Sequence, residues 1–117
     1  MGNLPKTAAG FEKDFNALKK DTQALVEYMK RMPLPTLEGY FKRAEVPVEV
    51  LQGVLSALKS VDGEEWTGKL LISLAKSDNF DMTLMFCEEE ELNCVKEIAG
   101  KLNSKLASEV KAKYGIE

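Results

Sequence analysis

Histidine is missing from all 117 residues, which removes the Ser-His and Cys-His nucleophiles together with the commonest side-chain metal ligand. Cysteine is scarce as well. Cys87 and Cys94 stand seven positions apart, and without histidine they cannot complete any common structural zinc pattern. Two turns of unbroken helix would separate their Cα atoms by about 10 Å, beyond the reach of a disulfide. A bend before Glu88 would relax that limit, but a reducing compartment still favours free thiols. Long apolar runs are also lacking: nothing approaches the ~18 residues of a membrane span, and the opening residues have no hydrophobic block of a secretory signal. Gly2 follows Met1, but Lys6 stands where a myristoylation signal wants Ser or Thr. The expectation is a cytoplasmic or nuclear protein that does not engage membranes. Gly53, Gly63 and Gly68 are isolated, so there is no phosphate-cradling loop.

Positive charge is thinly spread. Basic residues cluster only as the pairs Lys19-Lys20, Lys30-Arg31 and Lys42-Arg43, too sparse for the concentrated basic face that displaces counterions from nucleic acid. The net charge of −3 is uneven: through Ser60 there are nine basic and seven acidic residues, and from Val61 onward seven basic and twelve acidic. The run Glu88-Glu89-Glu90-Glu91 could suggest a cation site or a catalytic pair. Consecutive helical positions fan around the axis rather than converge, so the run reads as a solvated, dipole-stabilising helix start. Those carboxylates should also disfavour a Cys87 thiolate, making that cysteine inert. No catalytic residue, metal ligand or cofactor site is called for, and the chain reads as a non-enzyme.

What the chain does have is helical periodicity throughout, with no apolar/polar alternation long enough for a strand. The expected fold is an all-α, compact bundle of about seven to eight short helices, with residues 1–6 a lead-in and 7–117 one domain. Phe11, Phe15 and Leu18 define a first helix; Asp21 or Thr22 caps a second, carrying Leu25, Tyr28, Met29 and Met32. Pro33-Leu34-Pro35 forces a turn, after which Thr36 caps a short helix with Leu37, Tyr40 and Phe41. Pro47 fits the first position of a fourth helix built on Val50, Leu51, Val54, Leu55 and Leu58. Asp62 and Glu65 have capping-box spacing ahead of Trp66, Leu70, Leu71, Leu74 and Ala75. Trp66 reads as core in preference to a partner anchor. Ser77 or Asp78 caps a two-turn helix ending at Phe86; a helix with Leu92, Val95, Ile98, Ala99 and Leu102 follows, broken at Asn103-Ser104. The last carries Leu106, Val110 and Tyr114 and stops at Gly115. No period near 34 residues marks tetratricopeptide repeats.

The two-turn segment Asn79–Phe86 is the informative one. At about 100° per residue, Phe80, Thr83, Leu84 and Cys87 share one side, and Asn79, Met82, Met85 and Phe86 gather on the other. One apolar face suffices for folding. A second, worth about 1.5 to 3 kcal/mol per large side chain withdrawn from water, is either packed internally or kept for a partner. Methionine suits both roles, because its unbranched thioether fills core gaps and adapts to foreign surfaces equally well.

The ordered string Phe11-Glu12-x-Asp14-Phe15-x-x-Leu18, Leu25-x-x-Tyr28-Met29, Leu37-x-x-Tyr40-Phe41, Leu74 with Phe80-Asp81-Met82-x-x-Met85-Phe86, and Lys111-x-Lys113-Tyr114-Gly115 resembles a known domain. It is similar to the C-terminal domain family of RNA polymerase II-associated protein three, a type also found in sperm-associated antigen one. The resemblance runs from about Phe11 to Gly115, with its weakest match over Val61 to Gly68. It implies an all-helical adaptor that docks on the ATPase side of the RuvB-like AAA+ ATPase reptin, in complex with its paralogue pontin. The ninety-kilodalton heat-shock chaperone would be recruited indirectly, through tetratricopeptide repeats not in this sequence. By position the family's docking stripe falls on Asn79, Met82 and Phe86, with Asn79 where a basic residue is common. The partner-binding residues expected are therefore Asn79, Met82, Met85 and Phe86, on a chain that is monomeric when isolated. The alternative is a self-associating bundle whose stripe makes a homodimer.

Overall fold

The computed structural model describes residues 5, 7–42, 44–61 and 65–116, and among these it contains eight α-helices and no strand. They are α1 (Ala8–Leu18), α2 (Thr22–Arg31), α3 (Leu34–Tyr40), α4 (Val48–Leu58), α5 (Glu65–Ala75), α6 (Phe80–Met85), α7 (Glu89–Gly100) and α8 (Ser104–Lys113). None is long and apolar enough to cross a membrane. The chain folds back at each short connection, so α1 lies on α2, α2 on α4, α4 on α7 and α7 on α8, while α5 sits between α3 and α8. Its radius of gyration of 13.1 Å matches the about 13 Å of a tightly packed domain of this length.

Caps explain most of the boundaries. Thr7 takes the Gly10 amide on its hydroxyl at 3.1 Å, Asp21 takes that of Ala24 at 3.1 Å, and Asn103 takes that of Leu106 at 2.9 Å, each satisfying an orphan donor of a first turn. Three expected starts are corrected. Helix α3 begins at Leu34, before Thr36, because extended Pro33 serves as its cap and Pro35 falls in the first turn, where a missing N–H costs nothing. Pro47 stands one position outside α4 rather than at its first residue. Neither Ser77 nor Asp78 caps α6; Asn79 holds the cap position in a left-handed conformation, φ 51°. The Asp62 to Glu65 capping box lies largely outside the described residues.

The buried apolar residues form one continuous core. At one end, Phe11 sits among Phe15, Tyr28, Tyr40 and Phe41 with ring centroids 5.7 to 6.3 Å away, spacings at which tilted and edge-on aromatic pairs attract. The Tyr28 hydroxyl donates to Asp14 at 2.8 Å, and that of Tyr40 to the Pro5 carbonyl. At the other, Leu70, Leu71, Leu74, Val95, Ile98 and Val110 pack with Tyr114, whose buried hydroxyl donates to the Leu71 carbonyl at 2.8 Å. Burial and the hydrogen bond to Asp14 push the Tyr28 phenol well above its ordinary range, and burial does the same to Tyr114. Trp66 is half-buried against this core, with the Lys30 ammonium 5.5 Å from its ring centre.

Candidate docking surface

Helix α6 is short because it is a bracket rather than a layer. Its start is fixed from outside: the Asp78 amide donates to the Phe41 carbonyl at 2.9 Å, and the Asn79 amide side chain donates to Glu45 at 3.2 Å. Asparagine is among the few side chains that tolerate the left-handed backbone this corner demands. The inner face is then fastened at two points. Phe80 meets the Tyr114 ring edge-on at 5.1 Å, and the buried Thr83 hydroxyl donates to the Val46 carbonyl at 2.7 Å. Leu84 and Cys87 complete that face against the core. The Cys87 thiol points its hydrogen toward the Thr83 carbonyl at 3.5 Å, and burial, with help from the Glu91 carboxylate, pushes its pKa up. It is a resting thiol, not a nucleophile.

Because Phe80 and Thr83 face inward, the periodicity of the helix forces Met82, Met85 and Phe86 outward. They are 41%, 75% and 67% exposed, and among the described residues they are the only large hydrophobics that stand in water. Asn79 is exposed beside them. The four residues that the sequence grouped on one face are thus all exposed, beside a helix whose opposite side is fastened to the core. Three apolar side chains in adjacent helical positions form a contiguous patch, unlike the scattered single exposures that any surface carries.

Around this patch carboxylates outnumber cations among the described residues, although exposed Lys42 follows the Phe41 whose carbonyl receives the Asp78 amide. Asp78 and Asp81 are exposed at its start and flank, Glu45 is drawn in by Asn79, and Glu88 and Glu89 are exposed where the chain turns into α7. Glu91 departs from the expected solvated run. It is only 7% exposed, accepts from the Gln52 side chain of α4 at 2.9 Å and from the Glu88 amide at 3.1 Å, and is held below the usual carboxylate range by those bonds. The sequence offered no signal for this, since its partner lies 39 positions away. The run thus splits into a structural member and exposed ones.

Among the described residues, two further depressions can be delimited. One, of about 370 Å³, lies between α3, α5 and α8 and is lined by opposed charges, with Lys69 on Glu65 at 3.2 Å and Lys76 on Glu38 at 3.6 Å. The other, of about 550 Å³, lies beside α2 near Ser60 and Val61. Neither combines an apolar lining with convergent polar groups as small-molecule sites do. Among the described residues, no group of three or more acidic or cysteine side chains is placed to hold a metal ion.

Against known proteins, the profile of the family described as "Potential Monad-binding region of RPAP3" matches residues 4–92, which include the whole of α6. RNA polymerase II-associated protein 3 of Xenopus laevis is 28% identical over 123 residues, covering 97% of this chain, and the chain spans 18% of that protein's length. The structure of the C-terminal domain of the human RPAP3 protein, determined by NMR, superposes with a TM-score of 0.82 at 21% identity. That match covers 97% of this chain and 90% of the human one, so the two share a fold.

Proposed function

The chain belongs to the family of RPAP3 C-terminal regions, and from that premise we propose that it is an adaptor domain that docks on the ATPase side of the RuvB-like AAA+ ATPase reptin through Asn79, Met82, Met85 and Phe86. The observation that carries the reading is the exposed Met82, Met85 and Phe86 stripe on a helix pinned along its other face. Pinning matters because a surface already held in its bound geometry loses little conformational entropy on association. Methionine and phenylalanine are also enriched in interface cores. In a longer protein the domain would tether chaperone-recruiting repeats to the reptin and pontin ring, in the cytoplasm or nucleus, and it performs no chemistry itself.

The family's description as a potential Monad-binding region favours a second partner, Monad, for the same module. Self-association fits less well. A two-fold dimer is isologous, so the stripe would meet its own copy and bring Asp81 and Glu89 against like charges.

The test is a pull-down with purified reptin rings, run in parallel with purified Monad, using the intact chain and a Met82→Glu, Phe86→Ala variant. Both positions are exposed, so helical circular dichroism stays unchanged, while removal of central apolar anchors at about 2 kcal/mol or more each abolishes capture. Undiminished retention of the variant on reptin overturns the reading. Retention of the intact chain by Monad alone transfers the surface to that partner.

A further inference from the structure

Between positions 76 and 89 the chain carries exposed Asp78, Asp81, Glu88 and Glu89, and one cation, Lys76, which is engaged with Glu38 at 3.6 Å. Glu45 joins them through its hydrogen bond with Asn79. Carboxylates thus stand at both ends of the apolar stripe, Asp78, Asp81 and Glu45 toward the start of α6 and Glu88 and Glu89 beyond Phe86, and they outnumber the exposed cations of the same segments, Lys76 and Lys42. Only Glu45 among the five has a described side-chain hydrogen bond to the expected docking residues, from Asn79, and exposed Asp81 lies four residues, about one helical turn, before Met85. Burying this stripe against any flat apolar surface would leave the frame desolvated and unpaired, which is strongly unfavourable. An occupant that supplies positive charge around an apolar socket would pair with the surplus carboxylates.

Resting on the docking reading above, we infer that the surface recognises a protein face in which an apolar pocket is rimmed by lysine or arginine, with the acidic frame of this domain steering the encounter. The stripe sets how long the complex lasts, and the frame sets how fast and in which orientation it forms. Charge complementarity of this kind acts mainly on association rate, raising it by roughly 10- to 1,000-fold at low ionic strength and fading as salt rises. A second copy of this chain, with the same surplus of carboxylates, is disfavoured as that occupant at neutral pH.

The experiment measures association and dissociation rates against purified reptin rings at ~0.05 M and ~0.5 M salt, for the intact chain, for Asp78→Asn/Asp81→Asn/Glu89→Gln, and for Met85→Ser/Phe86→Ser. The intact chain should associate about tenfold more slowly at high salt. The neutralised variant should associate about tenfold more slowly than the intact chain at low salt, converge with it at high salt, and keep its dissociation rate within about twofold. The serine variant should keep the salt response and dissociate much faster. A salt-independent association rate for the intact chain, or one unaltered by the three neutralisations, overturns the basic-rimmed partner while leaving the stripe's docking in place. Absence of binding by the intact chain at both salts overturns the docking reading and this inference together. Thermal unfolding of both variants, coincident with the intact chain, establishes that the rates report the surface and not the fold.

Discussion

At the scale of single residues, two glycines in helices show how much of this sequence is dictated by clearance. A Cβ built on Gly53 would lie 2.2 Å from the Phe15 ring, and that ring is fully buried with no direction in which to retreat. The α1 and α4 helices can approach only because the side chain is missing. Gly53→Ala should therefore destabilise by about 1 to 3 kcal/mol despite alanine's better helix propensity, read as a lower urea midpoint. Gly39 has nothing within 4 Å of its would-be Cβ, and Gly39→Ala should stabilise by about 0.5 to 1 kcal/mol through the smaller entropy of the unfolded chain. Equal signs for the two substitutions would contradict the packing. Glu91 supplies a pH-dependent counterpart. Its hydrogen bonds from Gln52 and the Glu88 amide depress its folded pKa below the ordinary 4.5, so its contribution is complete above that value and is lost as pH falls through the depressed one. Glu91→Gln keeps an acceptor oxygen but cannot ionise. The stability gap between the two proteins should be largest at neutral pH and should close in acid, as measured by urea denaturation at ~pH 7 and ~pH 3.

At the scale of elements, α6 is six residues long, too short to be stable as a free helix, so its order depends on its anchors. Thr83→Val keeps the shape but strands the Val46 carbonyl, now without the donor at 2.7 Å. The expected loss is about 1 to 3 kcal/mol, with faster hydrogen exchange concentrated in the amides of α6 and those of α1 and α2 unchanged. Uniform acceleration throughout the chain would show that α6 is no separate bracket. The stripe and its inner face were legible in the sequence because both follow from helical period alone, which needs no knowledge of neighbours. Its corner was not. Ser77 and Asp78 are better capping residues than an asparagine at positive φ, but the bond from the Asp78 amide to the Phe41 carbonyl sets the chain's direction there, and that bond joins residues 37 positions apart. The same holds for α3, where local chemistry put the cap at Thr36 while Pro33 already supplied the extended entry. Glu91 was hidden among identical neighbours, and only the approach of α7 to α4 singles it out. Local rules located the elements; long-range hydrogen bonds adjusted their ends and chose which carboxylate to bury.

For the molecule as a whole, an apolar stripe open to water makes the charge between copies decisive. The net charge is −3 at pH 7 and the isoelectric point is about 5.1, and the carboxylates framing the stripe place part of that charge where two copies would touch. Net repulsion between copies should weaken as pH falls toward the isoelectric point, while the buried tyrosines, whose pKa values are raised, remain neutral. The chain should be a 13.0 kDa monomer at neutral pH, with light-scattering mass independent of concentration. Near pH 5 it should self-associate reversibly while its helical circular dichroism persists. The cause can be assigned with Met85→Ser/Phe86→Ser, which changes no charge and leaves the isoelectric point where it was. If the stripe drives acid association, this variant stays monomeric near pH 5; if generic charge loss drives it, the variant associates as the intact chain does. A neutral-pH dimer abolished by the same pair would instead mean that carboxylate repulsion is too weak to guard the surface, and the self-pairing disfavoured above would return as the resting state of the free domain.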